Sequence, residues 1–318
     1  MNKTFFIVAI LVSNFGFAQN LVPNPSFEIY DTCPSDFSQP TPWMYEINHA
    51  AGWVSPTLAT SDYFNSCNLL SVGTPNNLAG YQPPLSGEAY AGFGLEYDSF
   101  GPPQWYEYIQ IKLTEPLKTD RSYKISFYVS LAEVFSDYAT ASIGAMASLN
   151  GLSSTTSEPQ ILFNPQIRSN YFLTDTTEWM KIEGEYLAEG GEVFLTIGYF
   201  SNQNSIDTTS YKAGSPTESF FIYYYIDLVE VIEIPQSMKV PNIITPNNDA
   251  VNDFFQFDFT FDEVVILNRW GQIVFENDDN DLFWDGKTIS GNEVPEGTYY
   301  YVITTKKETF KGFVQVVR

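Results

Sequence analysis

From Lys124 to Leu131 polar and apolar residues alternate without a break. Ile125, Phe127, Val129 and Leu131 fall on one side and Lys124, Ser126, Tyr128 and Ser130 on the other, a period of two that belongs to a strand with one buried face. The same alternation runs through Ile109-Ile111-Leu113, through Met180-Ile182 set against Lys181-Glu183-Glu185, and through Val193-Leu195-Ile197-Tyr199. Phe220 to Ile234 is apolar on both sides, which predicts a central strand of a sandwich. Near the C-terminus, Glu263 to Asn268, Gln272 to Phe275, Thr298 to Thr304 and Phe310 to Val317 read as short strands separated by Gly and Asp/Asn turns. No stretch sustains a period of 3.6. With 20 Gly, 19 Pro and 17% aromatic residues, the pattern predicts an all-β chain of many short strands joined by tight turns.

At 318 residues the chain exceeds what one core usually holds, so two domains are expected. Lys3, the apolar run Phe5 to Val12 and the small-x-small pattern Gly16-Phe-Ala18 predict a signal peptide over residues 1–18, with Gln19 as the mature N-terminus. That run is too short to span a bilayer, and no later segment reaches about 18 apolar residues. Pro235-Gln-Ser-Met-Lys-Val-Pro241 reads as a connector. The expected organisation is therefore a large β-sandwich over 19–235 and a small Ig-like β-sandwich over 236–318.

The net charge of −23, from 15 Lys+Arg against 38 Asp+Glu, argues against a nucleic-acid partner, because a phosphate backbone needs a positive footprint. The only two cysteines, Cys33 and Cys67, are an even count in a chain expected to be exported. They predict one disulfide closing a loop of about 35 residues. With the single His49 they fall short of a four-ligand zinc shell. No Gly-x-Ser-x-Gly, His-Glu-x-x-His or phosphate-binding glycine loop is present. Two carboxylates suffice for glycoside hydrolysis, so that chemistry stays open as a third reading.

The C-terminal motifs carry a resemblance. Val240-Pro-Asn-Ile-Ile-Thr-Pro-Asn-Asn-Asp-Ala-Val-Asn-Asp253 is followed by Asn268-Arg-Trp-Gly271, Trp284-Asp-Gly286, Pro295-Glu-Gly-Thr-Tyr-Tyr300 and Lys311-Gly-Phe-Val-Gln-Val-Val-Arg318. This order resembles the gliding motility-associated C-terminal domain, the type B sorting domain of the type IX secretion system. The resemblance implies passage through the periplasm to the cell surface or medium, with the type IX translocon as partner. Asn268, Arg269, Trp270 and Gly271 of the hairpin, and Lys311, Gly312 and Arg318 of the terminal strand, are the expected recognition residues. Asn248 and Ala250 stand where that family usually has glycine, which puts the turn geometry of the loop, and any cation binding by Asp249 and Asp253, in question.

A second resemblance covers the large domain. Asn20-Leu-Val-Pro-Asn-Pro-Ser-Phe-Glu28, Tyr123-Lys-Ile-Ser-Phe-Tyr-Val129, Trp179 with Gly190-Gly191, and Tyr225-Ile-Asp-Leu-Val229 are similar to the landmarks of galactose-binding-like jelly-roll domains, the fold of many carbohydrate-binding modules. In those modules a first-strand Glu and a last-strand Asp meet at a structural calcium. Glu28 and Asp227 match these positions, and Glu88 after Ser86-Gly87 is a third candidate. The alternative is that Glu28 and Asp227 accept backbone N–H bonds at strand ends. Sugar-binding modules stack ligands on exposed rings, for which Trp105, Tyr106, Trp53 and Tyr81 are the candidates. Asp175-Thr-Thr177 and Asp207-Thr-Thr209 resemble glycosylation sites of exported proteins. The resulting expectation is a non-catalytic surface or secreted protein whose large domain binds glycan or another surface ligand, in adhesion or gliding. Its rival is a structural component of a surface assembly with no small ligand.

Overall fold

The computed structural model describes residues 19–39, 45–98, 105–153, 164–200, 208–210, 219–235, 240–257, 259–280, 283–306 and 309–318. The expected signal peptide, the connector residues 236–239, Gln104 and Asp207 lie outside the described residues. The chain forms two compact units that divide between Pro235 and Gln236.

The larger unit is a sandwich of two antiparallel sheets. One has the strand order Trp53–Val54, Tyr108–Lys112, Phe194–Tyr199, Ile143–Ser148, Ile167–Arg168; the other runs Met180–Leu187, Ser122–Leu131, Ser219–Glu233, Ala89–Asp98, Asp62–Asn65. The alternating segments deliver their apolar sides to the space between the sheets. Ile125, Phe127, Val129 and Leu131 are buried there with Ile109, Ile111, Leu195, Ile197 and Tyr199. The expected central strand is observed: Ser219–Glu233 lies between Ser122–Leu131 and Ala89–Asp98. Its even positions Ile222, Tyr224 and Ile226 join this core.

The odd positions Tyr223 and Tyr225 face outward yet are also buried, with Phe64 and Tyr90, beneath Phe37, Phe135 and Trp179. A strand apolar on both sides therefore reports a sheet covered on both faces. The Cys33–Cys67 disulfide is formed, with the Cα atoms 6.0 Å apart.

The smaller unit is one five-stranded sheet in the order Ile243–Ile244, Thr309–Val316, Gly297–Thr304, Glu263–Leu267, Ile273–Asn277, antiparallel except for its first pair. Its second layer consists of turn-linked aromatic residues rather than a second described sheet. Phe255, Phe261 and Trp284 are buried against Ile266, Ile303 and Val314, and Phe255 and Trp284 form an isolated β-bridge. The all-β class expected from the alternation is the class observed.

Candidate functional site

The hairpin of Asn76–Asn77 and Gly80–Tyr81 lies over the outer face of the sheet that contains Ser219–Glu233, and side-chain bonds hold it there. Asn77 Nδ2 donates to Tyr90 Oη at 3.0 Å, while Tyr225 Oη donates to Asn77 Oδ1 at 2.8 Å. Tyr90 Oη donates to the Gln82 carbonyl, and Ser130 Oγ donates to Gln82 Oε1. Glu133 Oε1 accepts the Tyr81 N–H at 3.0 Å. Gly80, at φ +151, admits Glu133 this closely because it lacks a side chain; a Cβ there would lie 2.5 Å from Glu133 Oε2.

On this fixed base the Tyr81 side chain projects outward, 54% exposed. Nearby, Trp179 sets its edge on Tyr90, with ring centroids 5.8 Å apart, and its indole N–H donates to the Pro83 carbonyl at 3.0 Å. An exposed ring on a rigid hairpin, with a half-buried indole and a free-standing amide at Asn76 beside it, is the arrangement that stacks on a sugar ring and bonds its hydroxyls.

The other expected platforms fare differently. Trp53 is a core residue, 1% exposed, packed on Phe27 and donating its indole N–H to the Asn24 carbonyl. It offers no face to a ligand, because the edge strand that carries it turns its side chain inward. Tyr106 is half-buried against the core. The Trp105 backbone pairs with Glu96, but its side chain lies outside the described residues. Trp179, read in the sequence only as a fold landmark, was missed as a member of this surface. Its position at the start of an exposed edge strand was the available signal.

Glu28 and Asp227 do converge, on the loop Leu85 to Ala89. Asp227 Oδ2 accepts the N–H groups of Leu85 and Ser86, both at 2.9 Å, and Oδ1 accepts that of Leu228. Glu28 Oε1 accepts the N–H groups of Glu88 and Ala89, also at 2.9 Å. Burial pushes the Asp227 carboxyl up to about 7 against the pull of these donors. The third expected ligand turns away, since Glu88 Oε2 accepts from Ser66 Oγ.

Calcium needs six to eight oxygens. Here five N–H donors already take three of the four carboxylate oxygens, and among the described residues no three acidic, His or Cys side chains stand together to hold a metal. The arrangement fits a backbone clamp better than it fits calcium.

Two further carboxylates, missed in the sequence, are buried between the Asp62–Asn65 strand and its neighbours. Asp62 accepts from Tyr223 Oη and the Ser38 N–H. Glu107 accepts from the N–H groups of Thr60 and Gly94 and from Thr60 Oγ1. Burial and then the Glu107 charge push Asp62 well above the usual carboxylate range, and burial raises Glu107 to about 7. Both are buried and bonded to backbone groups, which ties them into the fold's hydrogen-bond network. His49 sits in the short 3₁₀ turn Glu46–His49 with Asp31 Oδ1 2.8 Å from its Nδ1.

In the smaller unit the expected recognition residues divide. Gly271, at φ +77, makes the hairpin turn. Asn268 Oδ1 accepts the N–H groups of Trp270 and Gln272. Arg318 donates to the carbonyls of Val294 and Gly286. Gly312 leaves room for Tyr301. These four serve the fold. Arg269, Trp270 and Lys311 are exposed.

Residues 238–316 match the CHU_C Type IX secretion signal domain. No curated protein matches the chain. Among solved structures, the CBM22-1 xylan-binding domain from Paenibacillus barcinonensis Xyn10C aligns at 15% identity over 68% of this chain and 96% of its own, with a TM-score of 0.33. The CBM22-1–GH10 modules of Clostridium thermocellum xylanase Xyn10B align at 11% over 73% of this chain and 31% of their own, also at 0.33. The K1 cleaved adhesin domain of Lys-gingipain from Porphyromonas gingivalis W83 aligns at 15% over 57% and 90%, at 0.24. These alignments are too loose to bring a function to this chain.

Proposed function

We propose that this chain is a non-catalytic binding protein exported by type IX secretion, with a signal peptide over 1–18, a sorting unit at its C-terminus and a glycan-binding surface on its large unit. Export rests on the match over residues 238–316. Its test is removal of residues 236–318 from the chain in a bacterium that has type IX secretion. The truncated protein is expected to stay in the periplasm, and its normal arrival at the surface or in the medium would overturn the reading.

The observation that supports binding is the exposed Tyr81 ring on its bonded hairpin beside Trp179. A polysaccharide takes this surface by stacking on Tyr81 and bonding to amide groups such as Asn76. Affinity electrophoresis of the full chain against a panel of neutral polysaccharides tests this. Saturable retardation weakened about fivefold or more by Tyr81→Ala is expected, with stacking worth about 1 kcal/mol or more per ring. A folded protein retarded by no polysaccharide would move the reading to a structural role in a surface assembly.

A further inference from the structure

The sheet of the smaller unit buries one face and leaves the other bare. Residues directly opposite each other on neighbouring strands share a face. Tyr300 is opposite Phe313 on one side and Leu267 on the other, and Leu267 is opposite Ile273. These four residues form a row across four strands, on the side away from the buried Ile266, Ile303 and Val314. Phe313, Tyr300 and Ile273 are 52, 49 and 51% exposed, and Leu267 is half-buried. The next row is Lys311, Val302, Val265 and Glu276, apolar in the middle and charged at both ends. A water-facing side of an antiparallel sheet is expected to be polar; this one carries an unbroken apolar row across four strands, with Thr298 and Gln315 on one side of it and the charge-ended row on the other.

The turn at the end of the first row carries Trp270, 79% exposed. The two motif tryptophans therefore differ in what they do for the fold. Trp284 is buried in the core and donates its indole N–H to the Lys287 carbonyl. Trp270 contributes little burial, although the Asn268 side chain fixes its backbone. Large exposed aromatic residues beside an apolar row with a charged rim are the composition of a protein-binding surface.

What covers the face follows from what the domain is matched to. A secretion signal has to be read by a component of the secretion machinery, and two of the motif residues left exposed by the fold, Trp270 and Lys311, lie at this face. We propose that the row Phe313–Tyr300–Leu267–Ile273, with Trp270 at its end, is the surface by which the type IX secretion machinery holds this domain. The occupant is a protein surface that offers apolar and aromatic side chains to the row and opposite charges to Lys311 and Glu276. This rests on the export reading above.

The test uses the full chain in a bacterium with type IX secretion, followed by fractionation of periplasm, surface and medium. Trp270→Ser and the double variant Tyr300→Ser/Phe313→Ser are each expected to lower surface and medium protein at least tenfold and to accumulate in the periplasm. Their melting temperatures should stay within about 3 °C of the parent, since the replaced side chains are exposed. Should the double variant fail to fold, Trp270→Ser decides alone. Val251→Ser, which removes an exposed apolar residue of the 245–253 loop, is expected to travel normally.

If removal of 236–318 blocks export while the folded face variants travel normally, the face is wrong and the export reading stands. If that truncation also travels normally, both fall. A concentration-dependent dimer of the parent chain that Trp270→Ser abolishes would assign the face to a second copy and overturn the proposal.

Discussion

Ala250 shows how a single side chain departs from its expected pattern without breaking it. Asn248, Ala250 and Asn252 all adopt positive φ, at 65, 67 and 52°, so the glycine geometry is kept without the glycines. What holds it is Asp253, whose Oδ1 accepts the N–H groups of Asn247 and Asn248 and whose Oδ2 accepts that of Ala250. A left-handed conformation costs an alanine about 1 kcal/mol that glycine does not incur. Ala250→Gly is therefore expected to raise the stability of the smaller unit by about 0.5–1 kcal/mol in urea titration. Asp253→Ala should lower it by about 2 kcal/mol, because three N–H groups lose their acceptor.

At this same scale the sequence was least legible. Trp53 and Tyr81 lie in similar polar, turn-rich surroundings, but one is core and the other is surface. The difference comes from which distant strand each packs on, and local pattern carries no record of that. Tyr300 could have been noticed, since it is a large ring on the polar side of the alternation Tyr299, Tyr301, Ile303.

Strands were more legible than rings. The alternations from Lys124 to Leu131 and from Met180 to Glu185 pair with each other in register, Val129 opposite Met180 and Phe127 opposite Ile182, as two half-buried neighbours should. The doubly apolar run from Phe220 announced its central place. Loops were opaque, because their partners are chosen by tertiary contact.

The loop Leu85 to Ala89 is the main case. Four of its N–H groups are taken by carboxylates from the first and last segments of the domain, Glu28 and Asp227. Phe27 and Leu228, beside those two carboxylates, sit at φ 62 and 51°, a conformation that bulky residues adopt only when their surroundings impose it. Asp227→Ala is expected to destabilise the large unit by about 3 kcal/mol. Because backbone donors already take three of the four carboxylate oxygens, thermal melts of the parent in millimolar calcium and in chelator should agree within about 2 °C. A rise of several degrees in calcium would show that the ion enters the clamp. Cys33→Ser should cost about 3 kcal/mol on the loop-entropy account.

For the whole molecule, the acidic balance and the buried acids act in the same direction. Asp62 and Glu107 lie together, packed with Tyr223 and Tyr199, and hold their protons more tightly in the folded chain than in the unfolded one. A carboxyl raised in this way contributes stability that is present below its unfolded value, near 4.5 for Glu107, and that is lost as pH rises through about 7. For Glu107 the loss is on the order of 3 kcal/mol. Lowering the pH also relieves the self-repulsion of a chain carrying −23 at neutrality. The melting temperature is thus expected to be at least about 5 °C higher at pH 5 than at pH 8, and Glu107→Gln should flatten that difference. A melting temperature that rose from pH 5 to pH 8 would contradict this account of the buried pair.

Asn20, next to the expected cleavage point, has its side chain bonded to Val229 and Val231, more than two hundred positions away. The Asn20 side chain consequently has no partner for these bonds until the last strand has been made. A ribosome must release nearly the entire unit before these bonds can close, and such long-range closure is intrinsically slow. During that interval the edge of the last strand's sheet that receives Asn20 stays open. The two ends of the large unit are thus sewn together last, and the seam between them is the step that completes the sandwich.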